Sequence, residues 1–223
     1  MTKKSIVILI SGSGTNLQAI IDAVERGDIN ASITAVISNR ADAKGLQRAQ
    51  RAHINTIVVE QGDHPDRESY DQVLIAEVDR FQPDLIVLAG FMRILSDQFI
   101  NHYQDAILNI HPSLLPALKG LHTHRRALEA ALQVHGASVH FVSNELDSGP
   151  VVIQAEVPVL QDDTEASLAD RVLQQEHNIY PMAIAWFVDG RLKINGNDVL
   201  LDGKVLNRPA LWKADQLVIS EQH

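Results

Sequence analysis

Short, uninterrupted apolar runs separated by segments of helical periodicity are the feature that most narrows what this chain can become. Ile6–Ile10 and Leu85–Ala89 carry no polar residue, the pattern of strands buried on both faces of a parallel sheet. Between them lie Asn16–Arg26, with Leu17, Ile20, Ile21 and Val24 at helical spacing and Gly27 as its stop, then a strand at Ile33–Ile37, a helix at Ala43–Ala52, a short strand at Asn55–Val59 and a helix at Arg67–Phe81. Strands alternating with helices predict an α/β fold, a Rossmann-like domain with a mostly parallel central sheet flanked by helices. Further on, the pattern predicts a strand ending at Asn109, a helix from about His124 to Gln133, strands at Ser138–Val142 and Val151–Val159, and a helix over Ser167–Phe187 interrupted near Pro181. Asn195-Gly196 and Asp202-Gly203 mark a short antiparallel C-terminal extension over Leu192–Leu206.

Composition excludes several classes. A chain of 223 residues can bury one large core. A net charge of -9 argues against a nucleic-acid-coating surface. There is no cysteine, so disulfides, thiolate nucleophiles and cysteine metal sites are out, and a cytoplasmic location fits. The apolar start is too short for a signal peptide, and no segment is long enough to span a bilayer, so no membrane partner is expected.

Two constellations carry chemistry. Ser11-Gly12-Ser13-Gly14-Thr15-Asn16 joins the first strand to the first helix. Its glycines allow a tight turn, and the helix N-terminus offers free N–H groups to a phosphate. The dinucleotide fingerprint fails because position 17 is Leu17 and Ser38-Asn39-Arg40 supplies no acid, and the Gly-Lys-Ser/Thr of a P-loop is absent. A single phosphate held at Gly14, Thr15 and Asn16 competes with a structural turn in which Thr15 or Asn16 caps the helix. The second constellation is Asn109-Ile110-His111-Pro112. Residues two apart on a strand share a face, and Pro112 must end the strand. An amide and an imidazole therefore sit together at a strand's C-terminal end, where open α/β sheets bind ligands. If Asp147, in the loop Ser143–Pro150, folds over to His111, it favours the imidazolium. Asn109 and His111 then suit stabilisation of an oxyanion. No Gly-x-Ser-x-Gly motif is present, so the nucleophile is expected from the substrate. His122-Thr123-His124 alone is too weak a pattern for a metal, and none is expected.

With these blocks assembled, the sequence resembles the phosphoribosylglycinamide formyltransferase (GAR transformylase) family of the folate-dependent formyltransferase superfamily. The resemblance runs from Ile6 to about Leu206. It rests on Ser11–Leu17, Leu88-Ala89-Gly90-Phe91-Met92-Arg93-Ile94-Leu95, Asn109–Pro116, Gly120-Leu121-His122-Thr123-His124, Glu145–Pro150 and Gln175-Glu176-His177. It implies formyl transfer from the co-substrate 10-formyltetrahydrofolate to the amine of glycinamide ribonucleotide in purine biosynthesis. By that likeness Asn109, His111 and Asp147 form the catalytic trio. Gly14, Thr15, Asn16 and Glu176 bind the ribonucleotide. Arg67, Met92, Arg93, Ile94, Leu95, Asn109 and the loop Ser143, Asn144, Glu145, Leu146 and Asp147 line the folate site. His122, from the residues alone and not from the likeness, is expected to stand behind the site rather than to hold a metal. One formyltransferase domain is expected, as monomer or homodimer: residues 5–100 as its phosphate-binding half, 101–206 as its catalytic and folate half, and 207–223 as a tail. One departure is Leu173, where family members often carry a long polar residue.

Three rivals share parts of this pattern. A formyltetrahydrofolate deformylase has the same trio with water as acceptor, but its family usually carries an extra N-terminal domain, whereas strand one here is expected from residue 5. A methionyl-tRNA formyltransferase usually has a basic C-terminal domain that this acidic chain lacks. A nucleotide-binding regulatory module would keep the glycine turn and leave Asn109, His111 and Asp147 without a role.

Overall fold

The apolar runs become the inner strands of the sheet. The structure, a computed structural model, describes residues 3–219. It divides into two compact units, residues 1–109 and 110–223.

In the first unit the strands are β1 (Lys4–Ile10), β2 (Ala31–Ser38), β3 (Asn55–Val58), β4 (Leu85–Leu88) and the start of β5 (Ile107–His111), within which the division falls. They lie in the order β5-β4-β1-β2-β3, all parallel. Ile6 to Ile10 and Leu85 to Val87 are fully buried, as continuous apolar runs in a two-faced sheet require. Helix α1 (Thr15–Arg26) buries Leu17, Ile20 and Ile21 and ends at Gly27, whose φ of 85° permits the left-handed cap. Helices α2 (Lys44–Arg51), α3 (Arg67–Asp79) and α4 (Asp97–His102) complete the unit. Asp66 and Ser96 cap α3 and α4 through their side chains. The six residues of α4 were too few to show a period in the sequence.

The second unit continues from the last residues of β5 through β6 (Val134–Phe141) and β7 (Val151–Pro158), then β11 (Ala210–Lys213) and β12 (Gln216–Val218). β6 and β7 are antiparallel, β7 and β11 parallel. Helix α5 (Thr123–Glu129) is shorter than expected. Ala131 takes a left-handed φ of 49°, and Val134 already pairs with Pro158 in the sheet. Helix α6 (Glu165–Val188) runs unbroken through Pro181, contrary to the expected interruption. Leu168 and Val172 before the proline, and Ala183 and Ile184 after it, are all fully buried, and α6 packs on β6 and β7. That burial outweighs the roughly 3 kcal/mol a mid-helix proline costs. The C-terminal extension forms a small antiparallel sheet of β8 (Leu192–Asn195), β9 (Asp198–Leu201) and β10 (Lys204–Val205), as its turn signals indicated. The expected tail after 206 carries β11 and β12, and 220–223 lie outside the described residues. Among the described residues no helix is long and apolar enough to cross a membrane.

Gly136 in β6 shows how tightly this unit is packed. A Cβ there would fall 1.8 Å from the Ala155 carbonyl oxygen. Gly136→Ala is expected to destabilise the protein by about 3 kcal/mol in a denaturant titration.

Candidate active site

His111 stands at the end of β5, where Pro112 stops the ladder. Alternation along β5 gives Asn109 and His111 the same face. His111 is 6 % exposed. Its Nε2 donates to the Leu118 carbonyl oxygen at 3.0 Å, and its Nδ1 lies 3.4 Å from Asp147 Oδ2. Both ring nitrogens thus face acceptors. A neutral imidazole has one N–H and can satisfy only one; the imidazolium satisfies both.

Asp147 reaches this position through the loop between β6 and β7. Its φ of 47° is left-handed, a conformation aspartate tolerates better than most residues. Gly149 follows, where a Cβ would sit 1.8 Å from the Phe141 carbonyl oxygen, so only glycine lets the loop press against the end of β6. Asp147 Oδ2 also accepts the Gly120 N–H at 2.9 Å, and Oδ1 faces His140 Nε2 at 3.8 Å. The His140 imidazole is held below its usual range, chiefly by burial, against the pull of the Phe141 carbonyl and the Asp147 carboxylate. Its Nδ1 donates to the Phe141 carbonyl at 2.8 Å.

The segment over the pair is pinned by its own contacts. Arg126 donates to the Lys119 carbonyl oxygen, and the Lys119 ammonium to Ser148 Oγ. The turn after His111 is held by Ser138, whose Oγ donates to the Ser113 carbonyl and accepts the Leu115 N–H, and by Gln154, which donates to the Leu115 carbonyl. Sequence reasoning missed Leu118, His140, Ser138 and Gln154, and gave Gly120 no role of its own. Their roles arise from contacts across the chain that no local motif marks.

The remaining candidates of this unit are dispersed. Ser143 donates to the Glu145 carbonyl within the loop, Asn144 and Glu145 are exposed, and Leu146 is half exposed. Glu176 is buried on α6. His122 is exposed at the left-handed start of α5 and caps nothing through its ring. His124 Nδ1 lies 3.2 Å from His135 Nε2. Among the described residues no group of three or more histidines and carboxylates is arranged to hold a metal.

In the first unit, Gly14 is the N-cap of α1, with φ 69° and no side-chain cap. Thr15 and Asn16 therefore do not cap the helix, and its first turn carries no acid. The turn is braced from α2. A Cβ on Gly14 would meet Gly45 Cα at 2.5 Å, the Gly45 N–H donates to the Gly12 carbonyl, and Arg48 Nε donates to the Ser13 carbonyl at 2.9 Å. Arg48 and Gly45 escaped the sequence reading because they lie some thirty residues away. Arg67 is exposed at the start of α3, beside Glu68. Met92 and Ile94 are exposed and Leu95 is buried, while the Arg93 guanidinium stacks 3.8 Å above the Tyr70 ring.

A strand-end histidine thus faces a loop aspartate, two residues after an asparagine on the same strand. The formyl transferase family model matches residues 4–184, and the chain belongs to that family of enzymes. Its relatives narrow the branch. It is 54 % identical to the phosphoribosylglycinamide formyltransferase of Escherichia coli over 95 % of this chain and 100 % of that one. With the Haemophilus influenzae enzyme of the same name it shares 47 % identity over 91 % and 96 % of the two chains. The solved phosphoribosylglycinamide formyltransferase of Coxiella burnetii superposes with a TM-score of 0.88 at 50 % identity, covering 92 % of this chain and 96 % of that one.

Two predictions follow from these contacts. Gly14→Val forces a branched side chain into a left-handed residue against Gly45, and is expected to lower the unfolding free energy by more than about 2 kcal/mol by chemical denaturation. The second concerns pH. Burial first, then the neighbouring His124 and His111, pushes the His135 pKa down to about 4, and burial also lowers that of His124. The unfolded chain therefore binds more protons than the folded one between about pH 4 and 6.5, so stability falls as pH drops through that window. The slope contributed by His135 is about 1.4 kcal/mol per pH unit. His135→Asn is expected to flatten it in unfolding curves taken between those limits.

Proposed function

We propose that this enzyme transfers the formyl group of 10-formyltetrahydrofolate to the amine of glycinamide ribonucleotide in de novo purine biosynthesis, in the cytoplasm. The observation that carries the reading is His111 placed between two acceptors, one the Asp147 carboxylate at 3.4 Å, in a chain 54 % identical to a phosphoribosylglycinamide formyltransferase.

The neutral amine of the ribonucleotide attacks the formyl carbon. A C–N bond forms, and the carbonyl π pair moves onto oxygen. The Asn109 amide and the His111 imidazolium donate to that oxyanion, with His111 Nε2–H exchanging the Leu118 carbonyl for it. Asp147 orients the imidazole, and helps move the proton lost by the amine to the departing folate nitrogen. Collapse of the intermediate breaks the bond to that nitrogen and releases tetrahydrofolate. Removing one such oxyanion donor costs about 2.7–4 kcal/mol of barrier. Holding the amine against the formyl carbon supplies a larger entropic share.

Binding roles follow the same reading. The ribose phosphate sits at Gly14, Thr15 and Asn16, supported by the uncapped N-terminus of α1 and the absence of an acid there. Glu176 contacts the ribose or its glycinamide arm. Arg67, Met92, Arg93, Ile94 and Leu95, with the Ser143–Asp147 loop, line the folate site, and His122 supports the trio from outside it. Leu173 can give no polar contact, so the ribonucleotide relies on the other groups.

The deciding assay incubates the protein with 10-formyltetrahydrofolate, with and without glycinamide ribonucleotide, and follows tetrahydrofolate release. Release that depends on the amine is expected; release without it would make the protein a deformylase. Asn109→Ala is expected to lower kcat by a factor of about 10²–10³. Asp147→Asn should lower kcat strongly with folate binding nearly intact, and an equal loss in both would remove Asp147 from the chemistry.

A further inference from the structure

Resting on the reading that residues 92–95 line the folate site, we infer that Asp71, with Tyr70, is the positioning residue that holds this segment in its binding shape. Arg67, Tyr70 and Asp71 are spaced i, i+3 and i+4 and share one face of α3. Arg67 is exposed, but Tyr70 and Asp71 are fully buried. A buried carboxylate is costly to keep in a core unless it makes a bond that repays its desolvation. Here Asp71 Oδ2 accepts the Ser96 N–H, a charge-assisted bond stronger than one to a hydroxyl or amide. Ser96 in turn caps α4 through its own hydroxyl.

The other end of the segment is fixed in the same manner. The Met92 N–H donates to Ser11 Oγ at 2.7 Å. Midway, the Arg93 guanidinium carbon lies 3.8 Å from the Tyr70 ring centroid, within cation–π range. Among the described residues, Arg93, Ile94 and Leu95 make no backbone–backbone hydrogen bond. The stretch is strung between two side-chain acceptors with its own peptide groups open. A peptide edge of fixed shape suits a flat heterocycle with donors and acceptors along its rim, and fixing it beforehand lowers the ordering cost of binding. Asp71 does this without touching the ligand.

The test is a split between the two substrates. Asp71→Ala is expected to raise the KM for 10-formyltetrahydrofolate about tenfold and leave the KM for glycinamide ribonucleotide within about twofold. Asp71→Asn, which keeps an acceptor of the same shape, should bring the folate KM back to within about threefold of the unsubstituted enzyme. An equal rise in both constants, or no rise in either, overturns the proposal. Arg67→Ala and Ile94→Ala test the underlying reading separately. If neither moves the folate KM, the folate-lining assignment itself is wrong. If they move it and Asp71→Ala does not, only the positioning role is lost. Should Asp71→Ala fail to fold, Tyr70→Leu, which removes the ring beneath Arg93, must give the same split for the proposal to stand.

Discussion

A carboxylate that faces an imidazole and takes a backbone N–H with the same oxygen sets the arrangement of the second unit. Asp147 Oδ2 lies between His111 and Gly120, so one atom fixes both the ring and the segment above it. The ring's other nitrogen is taken by the Leu118 carbonyl, two residues before Gly120. Ring, loop and carboxylate are therefore mutually constrained, and displacing any one leaves a buried polar group of the others unmet. The glycine at 149, the Arg126 and Lys119 contacts and the Ser138–Gln154 network all serve to keep that triangle in place.

The first unit depends on a different constraint, the close approach of two backbones. Gly14 and Gly45 meet without side chains between them, so α2 braces the turn that opens α1. Ser11, at the start of the same turn, also reaches Met92. One short stretch of six residues thus anchors a candidate phosphate cradle and one end of a candidate folate edge.

Much of this was legible in the chain. The apolar runs gave β1 and β4 because burial on both faces leaves no polar position. Gly27 gave the end of α1, and Pro112 the end of β5. Asn109 and His111 were readable as a pair because strand period and a stop signal coincide. Other parts could not be read locally. Pro181 looked like a break because propensity acts on the residue alone, whereas the burial that carries α6 past it belongs to β6 and β7. Helix α5 looked longer because nothing in Ala130–Gln133 announces that Val134 is already claimed by the sheet. His140 carries no local signal, and Gly120 none that points to Asp147: both meet it only because its loop folds back to them. The role of Glu176 rests on family likeness, and that of His122 only on the weak His122-Thr123-His124 pattern.

The open main chain of residues 93–95 has a consequence for drift and for inhibition. Peptide groups stay in place whatever side chain hangs from them, so substitution at exposed Met92 or Ile94 changes what lines this edge without changing the edge itself. A compound that grips this edge would meet a surface that side-chain substitution leaves in place; only a change that removes a peptide N–H, proline above all, would alter it.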